Sequence, residues 1–432
     1  MEISITLLFI SIFIGFFLGI ISGLTPGIHV NNFALVLLAL TPLFLEIGFE
    51  PFYIAVMILS NSVTQTFVDI IPSIFLGAPE ADTALAVLPG HKLLMEGRGS
   101  EAVRLSAIGS AGSVAASLLI AVPLGLFFLN IYGTIDAYIG WILIFIVVLM
   151  IATENGEVVE GQGSLVHLKY KGYAIILFLL SGMLGMFAFE NTVMMTPFVT
   201  FGEPSILLPL LSGLFGASML VLAMMTNSEV PPQQKNCMFT LPGKKTIRGI
   251  ISGSAAGSFV AWLPGVSSAV GTIIARLLVR EDKSEDASKE FIISLSGANT
   301  ANAIFSLIAL YTIHRTRSGA MVAINGLVNI EDWDMSIMIL LLAIIVFVSI
   351  MSYYATINLG DRISGLLSKM DYSKLCWVVL IFLTFMVVML TGWFGLVIFL
   401  ISTPVGMVAS FAKIRKTHAM GVILLPVILY FF

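Results

Sequence analysis

Two proline–glycine pairs, Pro26-Gly27 and Pro264-Gly265, each interrupt a long apolar run. The first lies in GLTPGIHVNN, Gly23 to Asn32, and the second in WLPGVSSAVGT, Trp262 to Thr272. Proline removes a backbone donor and glycine loosens the helix. In lipid, the freed backbone groups survive only when buried in protein or lining a wet cavity. Broken helices at matching places in two halves of a chain point to a transport site. A second pair of segments follows in the same order. GAPEADTAL starts at Gly77 and GANTANAIF at Gly297, an offset of 220 (297 − 77).

Composition sets the surroundings. The chain is 58% hydrophobic and 11% charged, against about 25% charged in soluble domains. Apolar runs near the ~20 residues a bilayer requires, some shorter, lie at 3–23, 28–45, 51–71, 101–129, 137–153, 172–189 and 204–226. The second half offers 247–263, 266–279, 290–311, 335–357, 375–394, 396–412 and 418–432. The N-terminus lacks a basic leader and a small-residue cleavage site, and reads as a retained first helix. The chain is therefore expected to be a multi-pass protein of the cell membrane. Its net charge of −4 gives no sign of a nucleic-acid partner, and Cys237 and Cys376 fit no disulfide or metal spacing.

Lys and Arg set the orientation. The connections Lys92–Arg104, Lys169–Lys171, Lys235–Arg248, Arg276–Lys289, Arg362–Lys374 and Lys413–Lys416 are basic. Those near Glu46–Glu50, Asn130–Asp136, Glu190–Glu203 and Glu331–Asp334 hold no Lys or Arg. Placing the basic set in the cytoplasm runs 101–129 and 335–357 in opposite directions. The expected fold class is thus an all-α polytopic membrane protein of two inverted repeats, each with a Pro-Gly-tipped re-entrant helical hairpin. The repeats span 1–246, with a connector near 227–246, and 247–432. One segment, His314-Arg315-Thr316-Arg317, falls where this arrangement wants an outward-facing or intramembrane position.

The polar residues inside apolar surroundings supply the candidate site. After the first break stand His29, Asn31 and Asn32, and the third segment adds Asn61, Ser62, Thr64, Gln65 and Asp69. Pro79, Glu80, Asp82 and Thr83 follow. The second half offers Ser267, Ser268 and Thr272, then Ser294, Ser296, Asn299, Thr300 and Asn302. A helix restarting after a break aims unpaired N–H groups and a positive dipole end into the gap, which suits an anion. Hydroxyls and amides add neutral partners, although each alone could simply bond two packed helices. An intramembrane carboxylate is costly, so Asp69 is a candidate cation or proton site, with Glu80 and Asp82 as further candidates. Alternatively Asp69 ends its segment at the membrane interface. No HExxH pair, Cys/His cluster, GxSxG elbow or GxxxxGK[ST] loop occurs, so no resident metal, cofactor or ATP-driven engine is expected.

With these segments in view, the chain resembles the large membrane subunit of tripartite tricarboxylate transporters, the TctA family. The segments that carry the resemblance are GLTPGIHVNNFALVLLALTPLF (Gly23–Phe44), GAPEADTALAVLPGHKLLMEGRGSEAVR (Gly77–Arg104), Leu263–Gly265, ASKEF (Ala287–Phe291) and GANTANA (Gly297–Ala303). They run from about residue 15 to 310 in the same order. This chain departs from the family pattern at Ile28-His29, where the family is glycine-rich, and at Asn299–Asn302, which lacks the family's carboxylate. The resemblance implies a small membrane subunit and an extracytoplasmic binding protein as partners.

The expected function is a secondary permease, not an enzyme, for a small organic anion, a carboxylate. The anion would sit between the hairpins at Pro26, Gly27, His29, Asn31, Asn32, Pro79, Thr83, Pro264, Gly265, Ser267, Ser268, Asn299, Thr300 and Asn302. A Na⁺ or H⁺ gradient would drive it through Asp69, Glu80 or Asp82. The alternative is a translocase of a lipid-linked phosphate such as polyprenyl phosphate, held by His314, Arg315 and Arg317, because Arg suits phosphate bidentately. An intramembrane enzyme using Asp69 or Glu80 is a third class. Membrane lipids and a further copy of the chain complete the partners considered.

Overall fold

The computed structural model describes residues 3–25, 30–77, 83–154, 164–199, 204–225, 233–234, 240–263, 268–278, 285–328, 330, 333–367 and 372–432. Among these residues the chain is helical, with no strand. The first half holds Ile5–Leu24 (α1), Val30–Ala39 (α2), Thr41–Glu46 (α3), Pro51–Val68 (α4), Ile70–Phe75 (α5), Val87–Met95 (α6), Gly99–Ala152 (α7), Ser164–Glu190 (α8), Leu207–Leu211 (α9) and Ser218–Met225 (α10). A π-helical turn, Ser212–Ala217, joins α9 to α10. The second half holds Gly243–Val260 (α11), Ser268–Leu278 (α12), Glu285–Ile313 (α13), Gly319–Leu327 (α14), Met335–Leu367 (α15), Tyr372–Ala412 (α16) and Gly421–Tyr430 (α17).

Seven described helical segments are long and apolar enough to cross a membrane. They are Ile5–Leu24, Pro51–Phe75, Gly99–Ile135, His167–Glu190, Asp286–Ile313, Met335–Leu366 and Cys376–Ala412. The chain is therefore a multi-pass membrane protein. Two of the seven, Pro51–Phe75 and Asp286–Ile313, are almost wholly enclosed by the others. These two central helices carry most of the polar residues identified above.

Local chemistry explains where helices stop. Gly48 and Gly97 take positive φ, +92° and +78°. The turn at Gly97 sends its N–H to Leu94 O at 3.0 Å and the Arg98 N–H to Leu93 O at 2.8 Å. That pair of bonds closes α6 with a left-handed cap that glycine adopts without a Cβ penalty. Gly48 closes α3 the same way, with Phe49 N–H on Phe44 O at 2.9 Å and the two rings edge-to-face at 5.9 Å. Pro51 then opens α4, where its missing N–H costs nothing. Ser318 caps α14 by accepting from Met321 N–H at 3.3 Å.

Small residues set the packing. In α1, a Cβ on Gly15 would meet Met57 O, and one on Gly19 would approach Asn61 O of α4. In α11, a Cβ on Gly253 would meet Ser294 O, and one on Gly257 would meet Ala298 O of α13. Backbones approach this closely only where small residues line the contact. The glycines recur at an offset of 238 (253 − 15), the carbonyls at 237 (294 − 57). Beside this contact, Gly109 of α7 lies against Ile293 O, so α13 is held by α11 and α7 together.

These offsets differ from the 220 of the Gly77 and Gly297 motifs. Gly297–Ala303 is the middle of α13, inside the expected run 290–311. At an offset of 237, Gly297 falls on Ser60, and Gly77 falls on His314, in the short link between α13 and α14. A correction concerns Asn130–Asp136, expected as a connection. It is helical, within the 54 residues of α7. The stretch holds no proline, so nothing in it removes a helical donor. Conversely, α16 bends at Gly392, which takes φ +72° with Thr196 O close behind it. The expected runs 375–394 and 396–412 are the two arms of that bend.

Candidate functional site

The described chain stops at Thr25 and resumes at Val30, and stops again at Leu263 and resumes at Ser268. Pro26, Gly27, His29, Pro264, Gly265 and Ser267 thus lie outside the described residues, as do Pro79, Glu80 and Asp82. Of Asn31 and Asn32 only the helical backbone of α2 is described. The flanks of both breaks are well placed, and they converge.

Asp69 sits at the joint of α4 and α5, 4% exposed. It is therefore enclosed by protein. Gly23, near the last turn of α1, lies against Val68 and the Asp69 backbone N–H. The first break thus opens beside Asp69. From the other half, Asn299 Nδ2 donates to Asp69 Oδ2 at 2.8 Å. Ser268, the first residue after the second break, donates to Asn299 Oδ1 at 3.5 Å. One buried chain of polar groups therefore links Ser268, Asn299 and Asp69 across the two halves.

Further bonds extend it. Thr300 Oγ1 donates to Thr66 Oγ1 at 3.1 Å, and Ser352 Oγ of α15 donates to Thr64 Oγ1 at 3.0 Å. Ser22 Oγ of α1 donates to Asn61 Oδ1 at 3.1 Å. The Asn61 Nδ2 amide is buried with no hydrogen-bond partner among the described residues. A buried unpaired amide donor costs roughly 1–3 kcal/mol, so it suits an acceptor that arrives with a ligand. Thr83 is buried and shares a 2.6 Å hydrogen bond with Ser73. Asn302 is half-buried on α13.

Sequence reading passed over Ser22, Thr66 and Ser352, and named Asn61, Thr64 and Gln65 without placing them in the site. The available signal was periodicity. Asn61, Gln65 and Asp69 recur every four residues, one face of a helix. His314 and Arg315 are exposed. Arg317 bonds Tyr132 of α7 and stacks 5.0 Å from the centre of its ring. Arg317 is thus held by an aromatic side chain of α7.

Chemically the described residues of the centre hold one carboxylate, Asp69, among hydroxyls and amides. Among the described residues no group of three His, Cys, Asp or Glu could hold a metal ion. Such a set suits a proton or a weakly held alkali cation, with neutral donors left for an anion.

An all-α, multi-pass membrane protein with a buried polar centre between two interrupted helices has the architecture of a membrane transport component. The model of the tripartite tricarboxylate transporter TctA family matches residues 9–421, and the chain belongs to that family. It is accordingly a component of a tricarboxylate-type transporter. It is also similar to an uncharacterized protein of Methanocaldococcus jannaschii, 28% identical over 420 residues, which cover 94% of this chain and 95% of the relative. No solved structure matches it.

Proposed function

We propose that this chain is a secondary permease for a small carboxylate anion, driven by a Na⁺ or H⁺ gradient, with the anion seated between the two Pro-Gly breaks. The observation that carries this is the buried chain Ser268–Asn299–Asp69, which joins the flank of one break to the flank of the other. In this reading the N-termini of α2 and α12, restarting after the breaks, face the carboxylate with positive dipole ends. Asn61 Nδ2 supplies a further donor, and Asp69 holds the coupling cation or proton. The matching contacts of α1 with α4 and of α11 with α13 support two repeats, 1–246 and 247–432, and the Lys and Arg pattern favours opposite orientations for them. A small membrane subunit and an extracytoplasmic binding protein complete the system, as the family name indicates.

The test is uptake by liposomes holding the purified chain, alone and with its accessory subunits. Labelled citrate and smaller di- and monocarboxylates are offered under an imposed Na⁺ or pH gradient. Gradient-dependent accumulation that fails in Asn299→Ala supports the proposal. Equal uptake with and without either gradient, or unchanged uptake by Asn299→Ala, refutes it.

A further inference from the structure

A second feature lies away from the Asp69 centre. A cavity of about 330 Å³ opens between two groups of elements. One wall comes from α6, the end of α12 and the start of α13. The other comes from the π-helical turn, α10 and the link between α16 and α17. Five cationic or titratable bases reach it: His91, Lys92, Arg276, Arg415 and Lys416. Its described lining holds no Asp or Glu. The rest of the wall is mostly apolar, with Phe215 and Phe291 the largest side chains.

The bases are held in place. Arg276 lies 4.7 Å over the Phe291 ring. Lys416 Nζ donates to Ser218 Oγ at 2.8 Å and reaches Phe215 O at 3.5 Å. That carbonyl belongs to the π-helical turn, a rare element that recurs at functional sites. Arg415 is paired with Glu154 at 3.0 Å, and His418 Nε2 shares the same carboxylate at 2.7 Å. Glu154 therefore takes Arg415, and Lys92 and Arg276 are the further fully cationic side chains of the lining.

We propose that this cavity binds the phosphate headgroup of an anionic membrane lipid. The bases lie in connections that the charge pattern assigns to the cytoplasmic side, where acidic lipids are recognised by basic pockets between helices. The apolar wall fits the glycerol and first acyl carbons that accompany a headgroup, whereas a free polyanion would leave it uncovered. The occupant is a resident lipid and not the transported species. Its consequence for transport follows from α12. Ser268 at one end of that helix bonds Asn299, and Arg276, eight residues on, lines the cavity. Eight residues span about 12 Å of helix, so a headgroup on Arg276 bears on the position of Ser268.

The test uses the purified full chain, delipidated in a neutral detergent. Thermal unfolding and native mass spectrometry follow addition of phosphatidylglycerol, phosphatidylcholine, inorganic phosphate or citrate. Phosphatidylglycerol is expected to bind and stabilise, and phosphatidylcholine not to. In Lys92→Gln/Arg276→Gln the apparent affinity for phosphatidylglycerol should fall about thirtyfold, at about fivefold per charge near a membrane surface. Arg362→Gln, a basic residue outside the cavity, should leave it unchanged. Where the double variant does not fold, Lys92→Gln alone is read for its about fivefold loss. Cavity-dependent stabilisation by phosphate or citrate without phosphatidylglycerol assigns the site to a soluble anion and overturns the proposal. Phosphatidylglycerol binding that survives both cavity variants overturns it as well. Neither result depends on whether the chain accumulates carboxylates, so the transport proposal stands or falls separately.

Discussion

The position of α13 decides where Asn299 and Thr300 stand, and a buried ion pair anchors its first turns. Lys289 Nζ lies 2.9 Å from Glu101 Oε1 of α7, with both side chains at most 2% exposed. Glu101 also takes Arg98 at 2.6 Å, and Lys289 donates to Thr240 Oγ1 at 3.1 Å. Removing one partner of a buried pair leaves an uncompensated charge, at about 3–5 kcal/mol. The two single variants should differ. In Lys289→Met, Glu101 keeps Arg98, so the loss should fall at the lower end, about 3 kcal/mol. In Glu101→Gln, the buried ammonium loses its carboxylate and Arg98 loses it too, so about 3–5 kcal/mol is expected. The double variant Glu101→Gln/Lys289→Met removes both charges and should cost clearly less than the two single losses summed, because neither buried charge is then left without the other. The coupling energy, read from reversible unfolding in mixed detergent micelles, should thus exceed about 2 kcal/mol. Additive single effects would show that the two charges do not sense each other, and the anchoring role would fail.

Three further outcomes follow from particular contacts. Asp69→Asn keeps shape and removes charge; it should weaken dependence on the driving ion more than carboxylate affinity, and full gradient-driven accumulation would exclude Asp69 from coupling. Gly257→Ala should destabilise by about 1–3 kcal/mol because the new Cβ meets Ala298 O. Gly172→Ala, with no atom within 4 Å of that Cβ, should stabilise by about 0.5–1 kcal/mol, so the same unfolding assay must return opposite signs. Lys416, outside the seven long spans, has its pKa lowered by burial from 10.5 to about 7. Between those values the unfolded chain binds more protons than the folded one, so stability should rise with pH from about 7 to 10.5, by at most roughly 5 kcal/mol. Lys416→Met should flatten that rise in pH-dependent thermal unfolding, and an unchanged slope would refute it.

Much of the centre was legible, for a reason that differs by residue. Asp69 stood out because a carboxylate amid IIPSIF has few inexpensive places to be. Ser268 and Asn299 stood out because they follow a break or interrupt an apolar run. Ser22, Thr66 and Ser352 did not, since a lone hydroxyl in a helix can bond its own preceding turn, as Thr66 also does to Val63 O. The offset of 220 between Gly77 and Gly297 differs from the 237–238 of the glycine–carbonyl contacts, because short glycine-alanine strings recur by composition. Which carbonyl each glycine meets is a property of two helices at once.

By itself, then, the sequence determined the environment and the grain of the fold. Apolar runs near bilayer length force helices, because backbone groups in lipid must be satisfied within their own segment. Tertiary structure alone decided which polar residues meet. That Ser268 reaches Asn299, and Asn299 reaches Asp69 from 230 residues away, depends on Gly253 and Gly257 letting α11 close on α13, and on Gly15 and Gly19 letting α1 close on α4. Close packing is a condition on pairs of surfaces, and neither surface states it alone.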